Sequence, residues 1–524
     1  MKTNLEIYDC TLREGEQASG ARFSLDERLE LFHKLDEFGM NFIELGWPSA
    51  SQEVFDSFEQ ARKIRKNARI VVFGRTSKNE DVKNDENLNL LVKTKADYAC
   101  IFGKTNLEHV EKQLKLTGEE NLRIIGKSIE FLKRNMPVFY DAEHYFDGFK
   151  QNKEYAIKTI VAAVEAGAER IILCDTNGGT LPDEAGKIVQ ETRKRLEQVG
   201  FKNNLGVHFH DDQGLALANT LACLEDVVQV QGTINGIGER VGNLNFTEFL
   251  PIYMLKLNGK LNINLKELKE LNEEAYRISG IAIPEIRAFV GDSAFAHKGG
   301  VHIDAQVKGA SYEHINPEDV GNRSLTILNT LGGASCVASV ASQFGYSLNK
   351  KDSEVQEKIE RLFEELGEYE NAGYRIGALK AEQFLLIEKY FGRLDRVLDV
   401  DSWRIQTEMK KGVEKSLFNA ECIIDGKKAD KSLLVHGGPV DAAYKTFKNI
   451  LRGKYPEIDE LELVDFHVGI ARSRKEESTV RTLITFKDRE EFEIVGVDNN
   501  LLQSSIEAMT KGIRYFINSR RKGI

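Results

Sequence analysis

Eight short apolar runs, each ending in polar or glycine residues and joined by segments of helical period, fill the chain through residue 240: Leu5 to Asp9, Phe42 to Leu45, Ile70 to Phe73, Tyr98 to Phe102, Pro137 to Tyr140, Arg170 to Cys174, Leu205 to Phe209 and Val227 to Gln231. Parallel strands need crossover connections, and eight strand-helix repeats are what a closed (β/α)8 barrel requires. The first helix is well marked. Ser24 with Glu27 makes a capping-box pattern, Leu29, Phe32 and Leu35 recur at helical spacing, and Gly39 stands at the stop. Similar helices are predicted from Glu154 to Ala166 and from Pro182 to Gln198. An open doubly wound sheet is the rival fold, but no G-x-G-x-x-G follows an early strand, so nothing favours a dinucleotide fold.

The 524 residues exceed what one barrel needs, and past residue 258 the pattern changes. We expect an α/β barrel over 1–258, helical linker subdomains over 259–397, and an α+β domain over 398–524. The linker carries an acidic amphipathic stretch from Ser353 to Glu368. In the last part, runs at Leu417 to Ile424 and Ser432 to His436 precede a helix near Val440 to Leu451. A second set, Glu462 to Ile470 and Arg481 to Phe492, precedes Asn500 to Phe516, which points to an internal duplication. A net charge of -10, with no basic run beyond Arg520-Arg521-Lys522, argues against nucleic acid as the main partner. No run approaches 18 apolar residues, so no membrane span is expected. Six cysteines without C-x-x-C pairs and an N-terminus without a signal-peptide pattern lead us to expect a cytoplasmic protein with reduced thiols.

In a barrel of this kind chemistry gathers at the C-terminal ends of the strands. Those ends carry Cys10-Thr11-Leu12-Arg13-Glu14-Gly15-Glu16-Gln17, Gly46-Trp47-Pro48, Gly74-Arg75-Thr76, Asp141-Ala142-Glu143-His144, Asp175-Thr176-Asn177-Gly178-Gly179, His208-Phe209-His210-Asp211 and Asn235-Gly236-Ile237-Gly238-Glu239-Arg240-Val241-Gly242-Asn243. His208 and His210, at i and i+2 of a strand, face one side and can share a cation. Alone, such a pair is equally two polar residues at a strand end. Two histidines with a carboxylate at one mouth, however, suit a catalytic divalent cation such as Zn, Mn, Co or Mg. Arg75 has three readings: a partner for a second substrate carboxylate, a phosphate contact on a second substrate, or a solvated surface residue. His144 is ambiguous, His297 either lines the site or caps its segment, and His33 and His109 read as structural. Glu239 and Arg240 are expected to pair and to hold the loop carrying Asn243, and Asp9 to fix Arg13 or another cation from behind.

These motifs, together with Ala296-His297-Lys298-Gly299-Gly300-Val301-His302-Ile303-Asp304-Ala305, resemble the acyl-transferring barrel family of isopropylmalate, homocitrate and citramalate synthases, which condense acetyl-CoA with a 2-oxo acid. The resemblance implies Glu14, His208 and His210 as metal ligands with Asn243 as a fourth, Arg13 facing the oxo acid, Thr176 on the substrate carboxylate, and Glu143 as a catalytic carboxylate. It implies that His302 and Tyr312 are supplied to the barrel of a neighbouring subunit, hence a homodimer. Within the family, Gly46-Trp47-Pro48, Phe146-Asp147-Gly148, Cys174 to Pro182 and Gln229 to Gly236 look most like the longer citramalate synthases. Their 2-oxo acid is pyruvate, their product (R)-citramalate, and their pathway isoleucine biosynthesis. The stretch His436-Gly437-Gly438-Pro439-Val440-Asp441-Ala442 resembles the family's effector domain, which implies that 398–524 is an α+β regulatory, effector-binding domain with isoleucine the implied effector. One departure concerns Glu14, where many relatives have Asp. The Arg-Glu-Gly-Glu-Gln spelling is more usual in homocitrate synthases, which keeps homocitrate and isopropylmalate synthesis open as alternatives. The barrel and metal motif also occur in aldol-cleaving acyl-CoA lyases, whose chains usually stop after the barrel. A non-catalytic amino-acid sensor would have no reason to keep Arg13, Glu14, Glu143, His208, His210 and His302 together.

Overall fold

The computed structural model describes residues 5–284, 286–297, 313–330, 332–473 and 478–524. Strands β1 (Glu6–Asp9), β2 (Phe42–Gly46), β3 (Arg69–Arg75), β4 (Tyr98–Lys104), β5 (Val138–Glu143), β6 (Arg170–Asp175), β7 (Leu205–Phe209) and β8 (Gln229–Gly232) form a closed parallel barrel in sequence order. It closes where β1 pairs with β8, Tyr8 opposite Gln231 and Asp9 opposite Gly232. All eight expected runs are strands, but β3, β4 and β5 continue to Arg75, Lys104 and Glu143. Pairing in a closed barrel runs on into polar residues at the mouth, where hydrophobicity no longer marks a strand.

Alternation divides the strand residues between two cores. Tyr8, Cys10, Phe42, Val71, Phe73, Cys100 and Phe139 fill the interior as one buried cluster, with Phe42 set edge-on to Phe139 at 5.2 Å. Ile7, Ile43, Ile70, Val72, Ala99 and Ile101 face outward and pack with the helices. The first helix, Leu25–Phe38, has the expected capping box from Ser24 and Glu27 and ends on Gly39 at φ 106°. Its Leu31, Phe32 and Leu35 are fully buried, each worth roughly 1.5–3 kcal/mol of transfer free energy.

The chain forms two compact units. The first runs through Phe295 and takes back Ile315–Arg323; the second holds Ser324–Ile524 with the short segment that includes Ala296, His297, Glu313 and His314. In the second, β9 (Ala296–His297) pairs in parallel with β10 (Leu325–Thr326), followed by helices Gly333–Gln343, Ser353–Ala372 and Lys380–Phe391. Two antiparallel sheets come next, each closed by a helix. Strands β11 (Asp399–Lys410), β12 (Val413–Ile424) and β13 (Lys427–Val435) precede helix Pro439–Leu451, and β14 (Glu462–Ser473), β15 (Ser478–Lys487) and β16 (Glu491–Asp498) precede helix Leu501–Lys522.

The expected duplication is present, with three strands per repeat instead of two. The sequence reading misses β11, whose residues are mostly exposed, and it runs Arg481 to Phe492 across the turn between β15 and β16. No helix among the described residues is long and apolar enough to cross a membrane.

Candidate metal centre and active site

His208, in β7, and His210, just past its end, project from one side of the strand with ring centroids 5.0 Å apart. Glu14 arrives from the single helical turn Thr11–Glu14 that follows β1. Asp9 holds that turn, its carboxylate accepting from the Thr11 amide at 3.0 Å and the Thr11 hydroxyl at 2.8 Å. This corrects the expectation that Asp9 fixes Arg13: it sets the path of the backbone that carries Arg13 and Glu14. Ligand atoms of Glu14, His208 and His210 all lie within 4.8 Å of one another, and all three residues are buried.

Asn243 reaches the same place from the loop after β8, pairing across the backbone with His210. Neither polar atom of its side chain, nor Oε2 of Glu14, has a well-aligned hydrogen bond among the described residues. Buried polar atoms left so cost about 1–3 kcal/mol each, and a cation bound among them would satisfy the two oxygens, Asn243 Oδ1 and Glu14 Oε2. The set of two carboxylate or amide oxygens and two imidazoles fits a divalent metal. Burial pushes His208 down to about 4, helped by the Arg13 charge, and it depresses His210 further, with His208 and Arg240 adding to the effect. Both rings are therefore neutral near pH 7, the form that ligates.

Supporting contacts come from neighbouring strands. His208 Nδ1 lies 2.9 Å from Gln231 Oε1, and Gln231 Nε2 lies 3.4 Å from Asp141, which also accepts from the Cys100 thiol at 3.1 Å. Burial pushes the Asp141 carboxyl up to about 7. Arg13 is gripped by Glu14 and by the fully buried Glu44, and its guanidinium sits 3.7 Å above the Phe73 ring. Glu44 also accepts from the Tyr8 hydroxyl. Glu143 ends β5 opposite Lys104 at the end of β4, with the ammonium 2.9 Å from its carboxylate. The Thr176 hydroxyl accepts from the His144 amide at 2.8 Å, which leaves its own proton free to donate. His144, at φ 55°, turns its ring onto His109, the centroids 4.5 Å apart.

Arg240 does pair with Glu239, at 3.1 Å, but its stronger engagement is a two-pronged contact with Asp212 at 2.7 and 2.8 Å, and it also reaches the Thr176 carbonyl and His210 Nδ1. It thereby ties together the loops after β6, β7 and β8. Arg75 is not a freely solvated residue: it binds the Thr76 carbonyl and Asp85, the residue that caps the helix Glu86–Thr94. His297 belongs to the second unit, 3.3 Å from Glu313. His302 and Tyr312 lie outside the described residues. Sequence reasoning misses Glu44, Lys104, Asp141 as a contact of Gln231, and Gln231 itself. The available signal was a polar residue on the inward register of an otherwise apolar strand, as in Phe42-Ile43-Glu44-Leu45 and Val228-Gln229-Val230-Gln231.

A (β/α)8 barrel with a buried Glu-His-His cluster at the C-terminal ends of its strands defines a metal-site barrel enzyme class. Residues 4–274 match the HMGL-like family, residues 289–367 the homocitrate synthase post-HMGL domain-like family, and residues 380–517 the LeuA allosteric (dimerisation) domain. The chain is 37% identical over 521 residues to an (R)-citramalate synthase of Geobacter sulfurreducens, covering 98% of this chain and 97% of that one. It is 38% identical over 528 residues to the (R)-citramalate synthase of Aquifex aeolicus, covering 98% of each. A 2-isopropylmalate synthase of Staphylococcus epidermidis is 28% identical over 519 residues, covering 97% of this chain and 96% of that one. The chain belongs to the HMGL-like family, in the group of the (R)-citramalate synthases.

Proposed function

We propose that the chain condenses acetyl-CoA with pyruvate and releases (R)-citramalate and CoA. The observation that carries this reading is the buried Glu14, His208 and His210 cluster, set in a chain that matches (R)-citramalate synthases along nearly their whole length. Glu14, His208, His210 and Asn243 would hold a divalent cation. When bound, that cation polarises the keto group of the oxo acid as a Lewis acid.

Arg13, fixed by Glu44 and Phe73, directs a planar multi-donor cation at the ketone oxygen as its charge grows. Thr176 donates its hydroxyl proton to the substrate carboxylate. Glu143 takes a methyl proton from the thioester.

The same reading assigns residues 1–258 to catalysis, 259–397 to linker subdomains and 398–524 to regulation. It places His302 and Tyr312 at the mouth of a partner subunit in a homodimer and isoleucine as the effector. It sets the enzyme in the cytoplasm, where its cysteines, all free and buried, stay reduced. The test is thiol release from acetyl-CoA with pyruvate, 2-oxoisovalerate and 2-oxoglutarate side by side. Pyruvate is expected to be turned over fastest, and turnover with 2-oxoglutarate alone would replace this reading with homocitrate synthesis.

A further inference from the structure

We propose that Lys104 is a catalytic residue whose ammonium hydrogen-bonds the thioester oxygen of acetyl-CoA while Glu143 removes the methyl proton. This rests on the condensation reading above and on Glu143 as its base.

Lys104 and Glu143 are register partners at the last positions of β4 and β5, on the rim of the mouth. The chain beyond them stays locked, since the Thr105 amide and hydroxyl both bind the Glu143 carbonyl, at 3.2 and 2.7 Å. The lysine side chain is only 16% exposed, and its Nζ lies 2.9 Å from each carboxylate oxygen, so a flexible stem is held in one place. Other cations at the strand ends are committed elsewhere: Arg13 to Glu14 and Glu44, Arg75 to Asp85, and Arg240 to Asp212. Among the described residues, Lys104 is the cation that touches the proposed base.

The chemistry makes that contact useful. When the methyl C–H bond breaks, the proton goes to the Glu143 carboxylate and the bonding pair forms a C=C bond, displacing the carbonyl pair onto the thioester oxygen. One negative charge thus leaves Glu143 and appears on an oxygen two bonds from the methyl carbon. An ammonium already against the carboxylate meets the charge at both ends of its path and needs little reorganisation, the condition under which a fixed donor lowers a barrier most. The pair then returns as the new carbon–carbon bond to the ketone, and the ammonium closes again on Glu143.

A counter-ion that merely keeps Glu143 ionised would give the same ion pair, so the experiment must separate the two roles. Full-length Lys104→Met and Lys104→Gln are compared with the wild type in thiol release with pyruvate and in exchange of acetyl-CoA methyl protons with deuterated solvent, across the pH profile. Both variants should lose roughly 10²- to 10³-fold in both rates, the size of a lost oxyanion donor. The loss should persist on the alkaline plateau, KM for pyruvate and cation content should be unchanged, and added methylammonium should restore part of the rate. Rates within threefold of wild type in either folded variant would overturn the proposal, as would a loss that vanishes at high pH. Wild-type protein that releases no thiol with any of the three oxo acids would instead overturn the condensation reading.

Discussion

His208 can offer Nε2 to a cation because its other ring nitrogen is engaged by Gln231 Oε1, and the facing of Gln231 Nε2 toward Asp141 sets which way round the amide lies. Gln231→Leu removes the acceptor while keeping the bulk. We expect it to weaken cation binding by about 10- to 100-fold, read by direct metal titration, with the circular dichroism of the barrel unchanged. Undiminished affinity would show that packing alone orients the ring. Asp9 gives a different residue-scale expectation. Burial pushes its carboxyl up to about 7 against the Thr11 hydrogen bonds that pull it down. A carboxyl raised in the folded state binds its proton more tightly folded than unfolded, so its contribution to stability is full at low pH and is lost as pH climbs toward 7. The unfolding free energy of Asp9→Asn should therefore improve relative to wild type between pH 4 and 7, by at most about 1.4 kcal/mol per pH unit. A difference that is flat across that window would mean that the carboxyl is ionised throughout.

At the scale of elements, the loop after β8 carries Asn243 and is shaped by Gly242, at φ 100°, where an added Cβ would come within 1.8 Å of the Gly236 carbonyl oxygen. Gly242→Ala must push that backbone aside. The barrel lies below the loop, so the expected outcome is a folded protein with weakened cation binding, while unchanged affinity would remove Asn243 from the ligand set. The barrel itself was legible in the sequence because strand and helix periods alternate cleanly, and the Ser24 and Glu27 cap because its spacing is local. Glu44, Lys104 and Gln231 were not, because a polar residue within or at the end of an apolar run acquires meaning only from the strand beside it: Lys104 matters through Glu143, which lies 39 residues further on. Strand β11 was hidden for a related reason. Most of its residues face solvent, so it lacks the apolar alternation that marks a half-buried strand.

At the scale of the whole molecule, the described residues form the barrel's interior and helix-facing clusters in the first unit and a separate cluster in the second, and the helix-facing cluster is completed by residues that return late in the sequence. Val320 is fully buried in the first core, and the Asn322 amide donates to the carbonyls of Phe289 and Gly291 at 2.9 and 3.0 Å. Asn322→Ala deprives two carbonyls of that donor and should cost about 2–4 kcal/mol. Separate cores predict separate responses on heating. Asn322→Ala should lower the transition reported by loss of bound cation and leave the other in place, even though residue 322 follows the barrel by some distance in sequence. Phe447→Ala, which empties a fully buried site between helix Pro439–Leu451 and β12, should do the reverse, at a cost of about 3–5 kcal/mol. Added cation should raise only the first transition, in proportion to its binding free energy. A single transition that moves with all three perturbations would show that the two units unfold as one.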